Sequence, residues 1–85
     1  LDTGSLYRAV GLKLVYANLD PRHESEAVKA AQTIDFNDLT NPRLRQERVG
    51  NAASIVASMP AVRQALLEFQ QAFAAEGGVV LDGRD

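Results

Sequence analysis

The chain has 85 residues, of which 46% are hydrophobic and 24% are charged, so it is a globular chain with room for one modest core and no second domain. A formal net charge of −2 argues against a dedicated nucleic-acid-binding protein, and the absence of cysteine excludes disulfides and thiolate metal sites. No apolar run in the sequence approaches the roughly 20 residues that are needed to cross a bilayer.

The first half of the chain is predicted to hold two helices and a loop. Apolar residues recur at helical spacing over residues 4–19, which predicts a largely buried first helix. Thr3 or Ser5 could cap its start, because short hydroxyl side chains accept hydrogen bonds from the first free amides of a helix. A short polar helix is predicted over residues 24–32, and residues 33–42 are predicted to be a loop without a strand.

A longer helix is predicted from Pro42 to about residue 57. Asn41 is a favourable N-cap residue, and proline is tolerated at the first helical position. Small residues crowd this helix: Gly50, Ala52, Ala53, Ser54, Ala57 and Ser58. Small residues allow either another helix or a ligand to approach closely, and packing against a helix is the favoured interpretation.

The last predicted helix begins at Pro60 and is ended by Gly77 and Gly78. Its apolar residues fall at helical spacing: Val62, Leu66, Phe69 and Phe73. The fully apolar residues 79–81 ("VVL") then predict a short parallel strand that is covered on both faces. Since a lone strand is not stable, its partner strands are expected elsewhere in a longer protein or in an oligomer.

Several charged residues suggest possible functions. Arg8 lies near the start of the first helix, where it could help the free amides to bind a phosphate, although an arginine that extends into solvent is favoured on sequence alone. Arg43, Arg45 and Arg48 are expected to belong to a solvated helix face. The single histidine, His23, is expected to be exposed and not to bind a metal, because no second ligand lies near it in the sequence.

The final residues 82–85 ("DGRD") are the stronger functional signal. Ligands collect beyond the carboxyl ends of parallel strands in open α/β sheets, and these residues directly follow the predicted strand. A hairpin turn is the alternative, but no second strand follows these residues in the sequence. The 85 residues contain no GxxxxGK[ST] phosphate loop and no serine–histidine–acid signature.

Three stretches together resemble the bacterial cytidylate kinases: "LDTGSLYRAV", "LRQERVGNAASIVASMPAVRQALLEFQQAFA" and "VVLDGRD". The resemblance is weakest between residues 17 and 39, and it identifies residues 1–85 as a single partial domain from the middle of such an enzyme. It implies an α/β P-loop kinase fold, a parallel sheet with flanking helices, of which this part is mainly helical with one terminal strand. It also implies a cytoplasmic, monomeric kinase that transfers the γ-phosphoryl group of ATP to CMP or dCMP, without nucleic-acid or membrane partners.

The resemblance implies roles for particular residues. The CMP phosphate would be held by Thr3, Arg8 and Arg84. The cytosine base would be read by Ser54, Arg63 and Asp85. Arg45 matches a family arginine whose role is left open, and no catalytic residue is expected in this part of the enzyme. ATP and Mg²⁺ would be bound mainly by a phosphate loop upstream and a lid downstream, so these 85 residues alone are expected to be inactive.

The sequence departs from the family pattern in two places. The family usually has a threonine where this chain has Gln46, and an acidic residue where it has Arg48. The loop at residues 33–42 is also too short for a small β-rich insertion, so the chain resembles the shorter bacterial subclass. Two alternatives stay open, namely a nucleoside-monophosphate kinase of another base preference and a non-enzymatic helical module that packs against partner chains.

Overall fold

The computed structural model describes residues 2–78, and within them it contains five α-helices and one 3-10 helix. Their bounds are α1 Thr3–Tyr16, α2 Glu24–Gln32, α3 Phe36–Leu39, the 3-10 helix Pro42–Arg45, α4 Glu47–Ala57 and α5 Pro60–Ala75. This part of the chain contains no β-strand. The strand predicted at residues 79–81 and the "DGRD" residues 82–85 lie outside the described residues and stay predictions.

Helix α1 is the centre of the described core. Its buried residues lie on most of its circumference, as predicted: Leu6, Ala9, Val10, Gly11, Leu12 and Leu14. Helix α4 packs along α1, while α2 packs against both α1 and α5. Burying a large aliphatic side chain in such a core contributes about 1.5–3 kcal/mol, so α1 is firmly held and fixes where its polar residues lie.

The contact between α1 and α4 depends on Gly11. A Cβ atom at this position would lie 2.8 Å from the carbonyl oxygen of Val49 and 2.9 Å from the amide nitrogen of Ala53. These are backbone atoms, so a larger residue would push the two helices apart. Ala52 and Ala53 are buried in the same contact. The packing interpretation of the small residues on α4 is therefore confirmed for these two alanines.

The ends of α1 differ from the prediction. Asp2, rather than Thr3 or Ser5, caps the start, because its carboxylate accepts a hydrogen bond of 2.8 Å from the amide of Gly4. The helix ends earlier than predicted, because Asn18 takes a left-handed conformation with φ of 58° that closes the last turn.

The predicted loop at residues 33–42 contains the short helix α3. The carboxylate of Asp35 accepts a hydrogen bond of 3.1 Å from the amide of Asp38, and the carboxylate of Asp38 accepts one of 3.0 Å from the amide of Asp35. This reciprocal arrangement is a capping box, which satisfies the free amides of a first helical turn. The loop prediction is therefore wrong for the residues of α3.

The helix predicted over residues 42–57 is interrupted at Gln46. Asn41 caps the first turn as predicted, but that turn is a 3-10 helix, and Gln46 is extended with ψ of 148° before α4 begins. In a continuous helix the carbonyl of Leu44 would accept a hydrogen bond from the amide four residues later. Here it accepts one from the side chain of Arg8. The interruption thus goes together with a tertiary contact that no local pattern reveals.

The predictions for α2 and α5 are confirmed. Helix α2 has the predicted bounds, and α5 begins at Pro60. Beyond the end of α5, Gly77 takes a φ of 91°, and the amide of Gly78 donates a hydrogen bond of 3.0 Å to the carbonyl of Phe73. This is a Schellman motif, in which a left-handed glycine closes a helix. None of the helices in residues 2–78 is long and apolar enough to span a membrane.

Candidate functional site

Arg8 is half-buried between α1 and the start of α4. Its Nη1 donates a hydrogen bond of 3.0 Å to the carbonyl oxygen of Leu44. A Cβ atom on Gly50 would lie 3.0 Å from Nη2 and 3.2 Å from Nη1 of Arg8, so the guanidinium lies directly against this glycine. The prediction that Arg8 simply extends into solvent is therefore wrong. A guanidinium has five N–H donors, so several remain after the bond to Leu44.

Ser54 lies one helical turn beyond Gly50, on the exposed face of α4. Its hydroxyl donates a hydrogen bond of 3.2 Å to the carbonyl oxygen of Gly50. Because the hydroxyl hydrogen is used in this bond, Ser54 presents its oxygen lone pairs as acceptors to an approaching group. Two predicted site residues therefore contact Gly50, the guanidinium of Arg8 on its Cα side and the hydroxyl of Ser54 at its carbonyl oxygen.

Arg63 lies in the first turn of α5 with its side chain exposed. It lines a cleft of about 410 Å³. The other lining residues are Tyr7, Pro60, Gln64, Leu67 and Gln70. Tyr7 precedes Arg8 in α1, so the cleft lies beside the segment that carries Arg8.

The arginines of the candidate site lack acidic partners in the described part of the chain. Within residues 2–78, no carboxylate lies within ion-pair distance of Arg8, Arg45 or Arg63. Arg45 is exposed at the end of the 3-10 helix, and Thr3 is half-buried at the first position of α1. Guanidinium groups without an internal counter-ion are available to pair with an external anion.

Two further predicted site residues, Arg84 and Asp85, lie outside the described residues, so their roles stay predictions. His23 is exposed, as predicted, immediately before α2. Within residues 2–78, no group of three histidine or acidic side chains is arranged to hold a metal ion.

A cluster around Tyr16 was missed by the sequence analysis. The Nη2 of Arg48 donates a hydrogen bond of 2.7 Å to the hydroxyl of Tyr16, and the guanidinium carbon of Arg48 lies 4.7 Å from the centroid of the tyrosine ring. The guanidinium carbon of Arg43 lies 5.5 Å from the same centroid. Both arginines are exposed, as predicted, but they contact another helix. The signal in the sequence is a tyrosine at the end of an apolar helix, together with arginines, whose guanidinium groups can stack on an aromatic ring.

Within residues 2–78 the guanidinium groups of Arg8, Arg45 and Arg63 have no acidic partner, and such groups suit the binding of an anion. Comparisons with known proteins define the class more closely. The family model described as cytidylate kinase matches residues 1–85. The chain is 55% identical to the cytidylate kinase of Methylobacterium sp. (strain 4-46) and 50% identical to that of Bradyrhizobium sp. (strain ORS 278). Each alignment covers 100% of this chain and 41% of the relative.

The cytidylate kinase of Paramagnetospirillum magneticum is 52% identical over 89 aligned residues, which cover 100% of this chain and 42% of that relative. No solved structure matches the chain. The chain belongs to the cytidylate kinase family, which implies a P-loop kinase fold. It spans about two fifths of the length of these curated relatives.

Proposed function

We propose that this chain supplies the nucleoside-monophosphate site of an enzyme that transfers the γ-phosphoryl group of ATP to CMP or dCMP, forming CDP or dCDP. The observation that carries the proposal is the grouping of Arg8 and Ser54 around Gly50. The guanidinium of Arg8 lies against Gly50, and Ser54, whose hydroxyl offers an acceptor, follows Gly50 by one helical turn. Membership of the cytidylate kinase family supports the same function.

Arg8 is the described residue best suited to hold the CMP phosphate. The hydrogen bond to Leu44 orients its guanidinium before any ligand arrives, so little side-chain freedom is lost on binding. The remaining N–H groups can form charge-assisted hydrogen bonds to phosphate oxygens. Thr3, at the start of the same helix, and Arg84 complete the proposed phosphate site, while the role of Arg45 is left open.

The proposed base-reading residues match the hydrogen-bonding pattern of cytosine. Cytosine presents acceptors at N3 and O2 and a donor at its exocyclic amine. Arg63 has only donors and suits N3 and O2, while Ser54 presents an acceptor that suits the amine. Ionised Asp85 would offer further acceptors to the same amine. Uracil carries an N–H at N3, which would face the N–H groups of Arg63, so UMP would be disfavoured.

The roles of ATP and Mg²⁺ are proposed for other parts of the protein. The 85 residues contain no GxxxxGK[ST] loop, the usual cradle for nucleotide triphosphates in P-loop enzymes. When bound, Mg²⁺ neutralises charge on the transferring phosphates. The residues of this chain bind and orient the acceptor nucleotide, so the 85 residues alone are not expected to catalyse transfer.

The whole protein is proposed to have the parallel sheet of the P-loop kinases and to act as a cytoplasmic monomer without nucleic-acid or membrane partners.

The proposed activity is tested by phosphoryl transfer from ATP, in the presence of Mg²⁺, to CMP, dCMP, UMP and AMP by the full-length protein. Transfer is measured as ADP formation and by chromatography of the products. Preferential use of CMP and dCMP is expected. Preferential use of AMP or UMP would indicate another base preference, and no transfer to any acceptor would favour a non-enzymatic module.

A further inference from the structure

Tyr16, Gln46 and Arg48 form a closed hydrogen-bonded triangle between the end of α1 and the start of α4. The hydroxyl of Tyr16 donates a bond of 2.9 Å to Oε1 of Gln46 and accepts one of 2.7 Å from Nη2 of Arg48. The third side is a bond of 3.2 Å from Nε of Arg48 to Oε1 of Gln46. Tyr16 is thus the only member of the triangle that comes from α1.

The start of α4 lacks a side-chain cap. Gln46 is the N-cap residue, but its side chain makes no hydrogen bond to the free amides of the helix. Glu47 supplies a negative charge in the first turn, as the helix dipole favours, but Arg48 beside it places a positive charge there. A threonine at the cap and an acid in place of Arg48, as the family pattern has, would supply a side-chain cap and a second negative charge locally. In this chain these two positions are occupied by Gln46 and Arg48, and the side chains of both are hydrogen-bonded to Tyr16 instead.

The position of this start matters for Arg8. Gln46 follows the 3-10 helix that carries Leu44, whose carbonyl accepts the hydrogen bond from Arg8. Gly50, against which the guanidinium lies, is in the first turns of α4. Leu44 and Gly50, which contact the guanidinium of Arg8, therefore both lie in the segment that the hydrogen bonds of Tyr16 hold in place.

We propose that Tyr16 is a positioning residue for Arg8, acting through Gln46 and the carbonyl of Leu44, and that it replaces the local capping of α4. The inference rests on the proposed role of Arg8 in holding the CMP phosphate. It assigns to Tyr16 an effect on the CMP site and none on the ATP site.

The first test is the variant Tyr16→Phe in the full-length protein. It removes the hydroxyl and keeps the ring, so the contacts of the ring with Arg43 and Arg48 can persist. The KM for CMP should rise about five-fold, as expected for the loss of hydrogen bonds that orient a binding group, while kcat and the KM for ATP change less than about two-fold. Arg48→Ala should act in the same direction. Arg22→Ala, which removes an equal charge from an exposed residue outside the site, is the matched control and should leave both KM values unchanged.

The second test restores local capping. The double variant Gln46→Thr/Arg48→Glu gives α4 a threonine cap and a second acid in its first turn beside Glu47, so the start of the helix no longer depends on Tyr16. In this background Tyr16→Phe should change the KM for CMP by less than about two-fold, as expected once the hydrogen bonds to its hydroxyl no longer contribute.

The outcomes separate this inference from the proposed function. If the unaltered full-length protein does not phosphorylate CMP, the proposed function fails, whatever the variants do. If it does so and Tyr16→Phe leaves the KM for CMP unchanged, the positioning role is refuted. The same holds if Tyr16→Phe raises both KM values equally, or has an equal effect in the Gln46→Thr/Arg48→Glu background, because a purely structural role gives those results.

Discussion

The guanidinium of Arg8 donates a hydrogen bond of 3.0 Å to the carbonyl oxygen of Leu44, which lies 36 residues further along the chain. A carbonyl inside a regular α-helix accepts a hydrogen bond from the amide four residues later. The break before α4 leaves the carbonyl of Leu44 available, so the orientation of Arg8 and the interruption at Gln46 depend on each other. One contact therefore links an irregularity of the fold to the proposed phosphate site.

Arg8→Met in the full-length protein should weaken CMP and UMP alike, because both nucleotides carry the same phosphate. The expected loss in kcat/KM corresponds to about 2–5 kcal/mol, as for other oriented charge-assisted contacts. Arg8→Lys should recover only part of the loss, since an ammonium cannot bind the carbonyl of Leu44 and a phosphate with the geometry of a guanidinium. Steady-state kinetics with both nucleotides checks this, with the exposed Arg22→Met as control. A loss confined to CMP would contradict the phosphate role.

Gly11→Ala should destabilise the protein. The new Cβ would lie 2.8 Å from the carbonyl oxygen of Val49, and this backbone atom can yield only if α1 and α4 separate. Overpacking of this kind typically costs about 1–3 kcal/mol, which exceeds the gain in helix propensity of roughly 1 kcal/mol over most of that range. Denaturant unfolding of the full-length protein measures the change, with the exposed Gln71→Ala as control. A more stable Gly11→Ala variant would show that the two helices can separate at little cost.

The sequence was sufficient for elements whose causes are local. The short polar helix α2 has the predicted bounds, and α5 follows from its apolar periodicity, with Pro60 at its start and Gly77 after its end. The capping box that starts α3 was also local, but the aspartates of residues 35 and 38 were interpreted as loop residues. The break at Gln46 could not be predicted, because it accompanies a hydrogen bond from another helix.

The candidate site could be predicted only in part, because contacts between different helices also determine how its residues are arranged. Resemblance to a family named its residues, but only the packing of α1 against α4 shows that Arg8 lies against Gly50, one helical turn before Ser54. On sequence alone Arg8 was expected to extend into solvent. The contacts of Tyr16 escaped notice because they join residues about 30 positions apart, a distance at which no periodicity operates.

Ser54→Ala should reduce the preference for CMP over UMP without loss of stability. The hydroxyl is exposed and binds only the carbonyl of Gly50 in the described structure, and alanine is a better helix former than serine. Loss of an acceptor for the cytosine amine should lower kcat/KM for CMP by an amount that corresponds to about 0.5–1.5 kcal/mol. Ser58→Ala, which removes a hydroxyl bonded to the carbonyl of Ile55 at the end of the same helix, is the matched control. Equal effects of the two variants on CMP would argue against a base contact at Ser54.

Arg63→Met should weaken CMP strongly and shrink its preference over UMP. Within residues 2–78 the guanidinium of Arg63 has no hydrogen-bonding or ionic partner, so its donors are available to N3 and O2 of cytosine. Removing them should lower kcat/KM for CMP by an amount that corresponds to about 2–5 kcal/mol. The kcat/KM for UMP should fall less, because the N–H at N3 of uracil would face the donors of Arg63 in the unaltered enzyme. Arg84→Met, at the proposed phosphate contact, should instead weaken both nucleotides alike. The ratio of kcat/KM for CMP to that for UMP is the measurement. If Arg63→Met leaves this ratio unchanged, Arg63 is not the residue that reads the base.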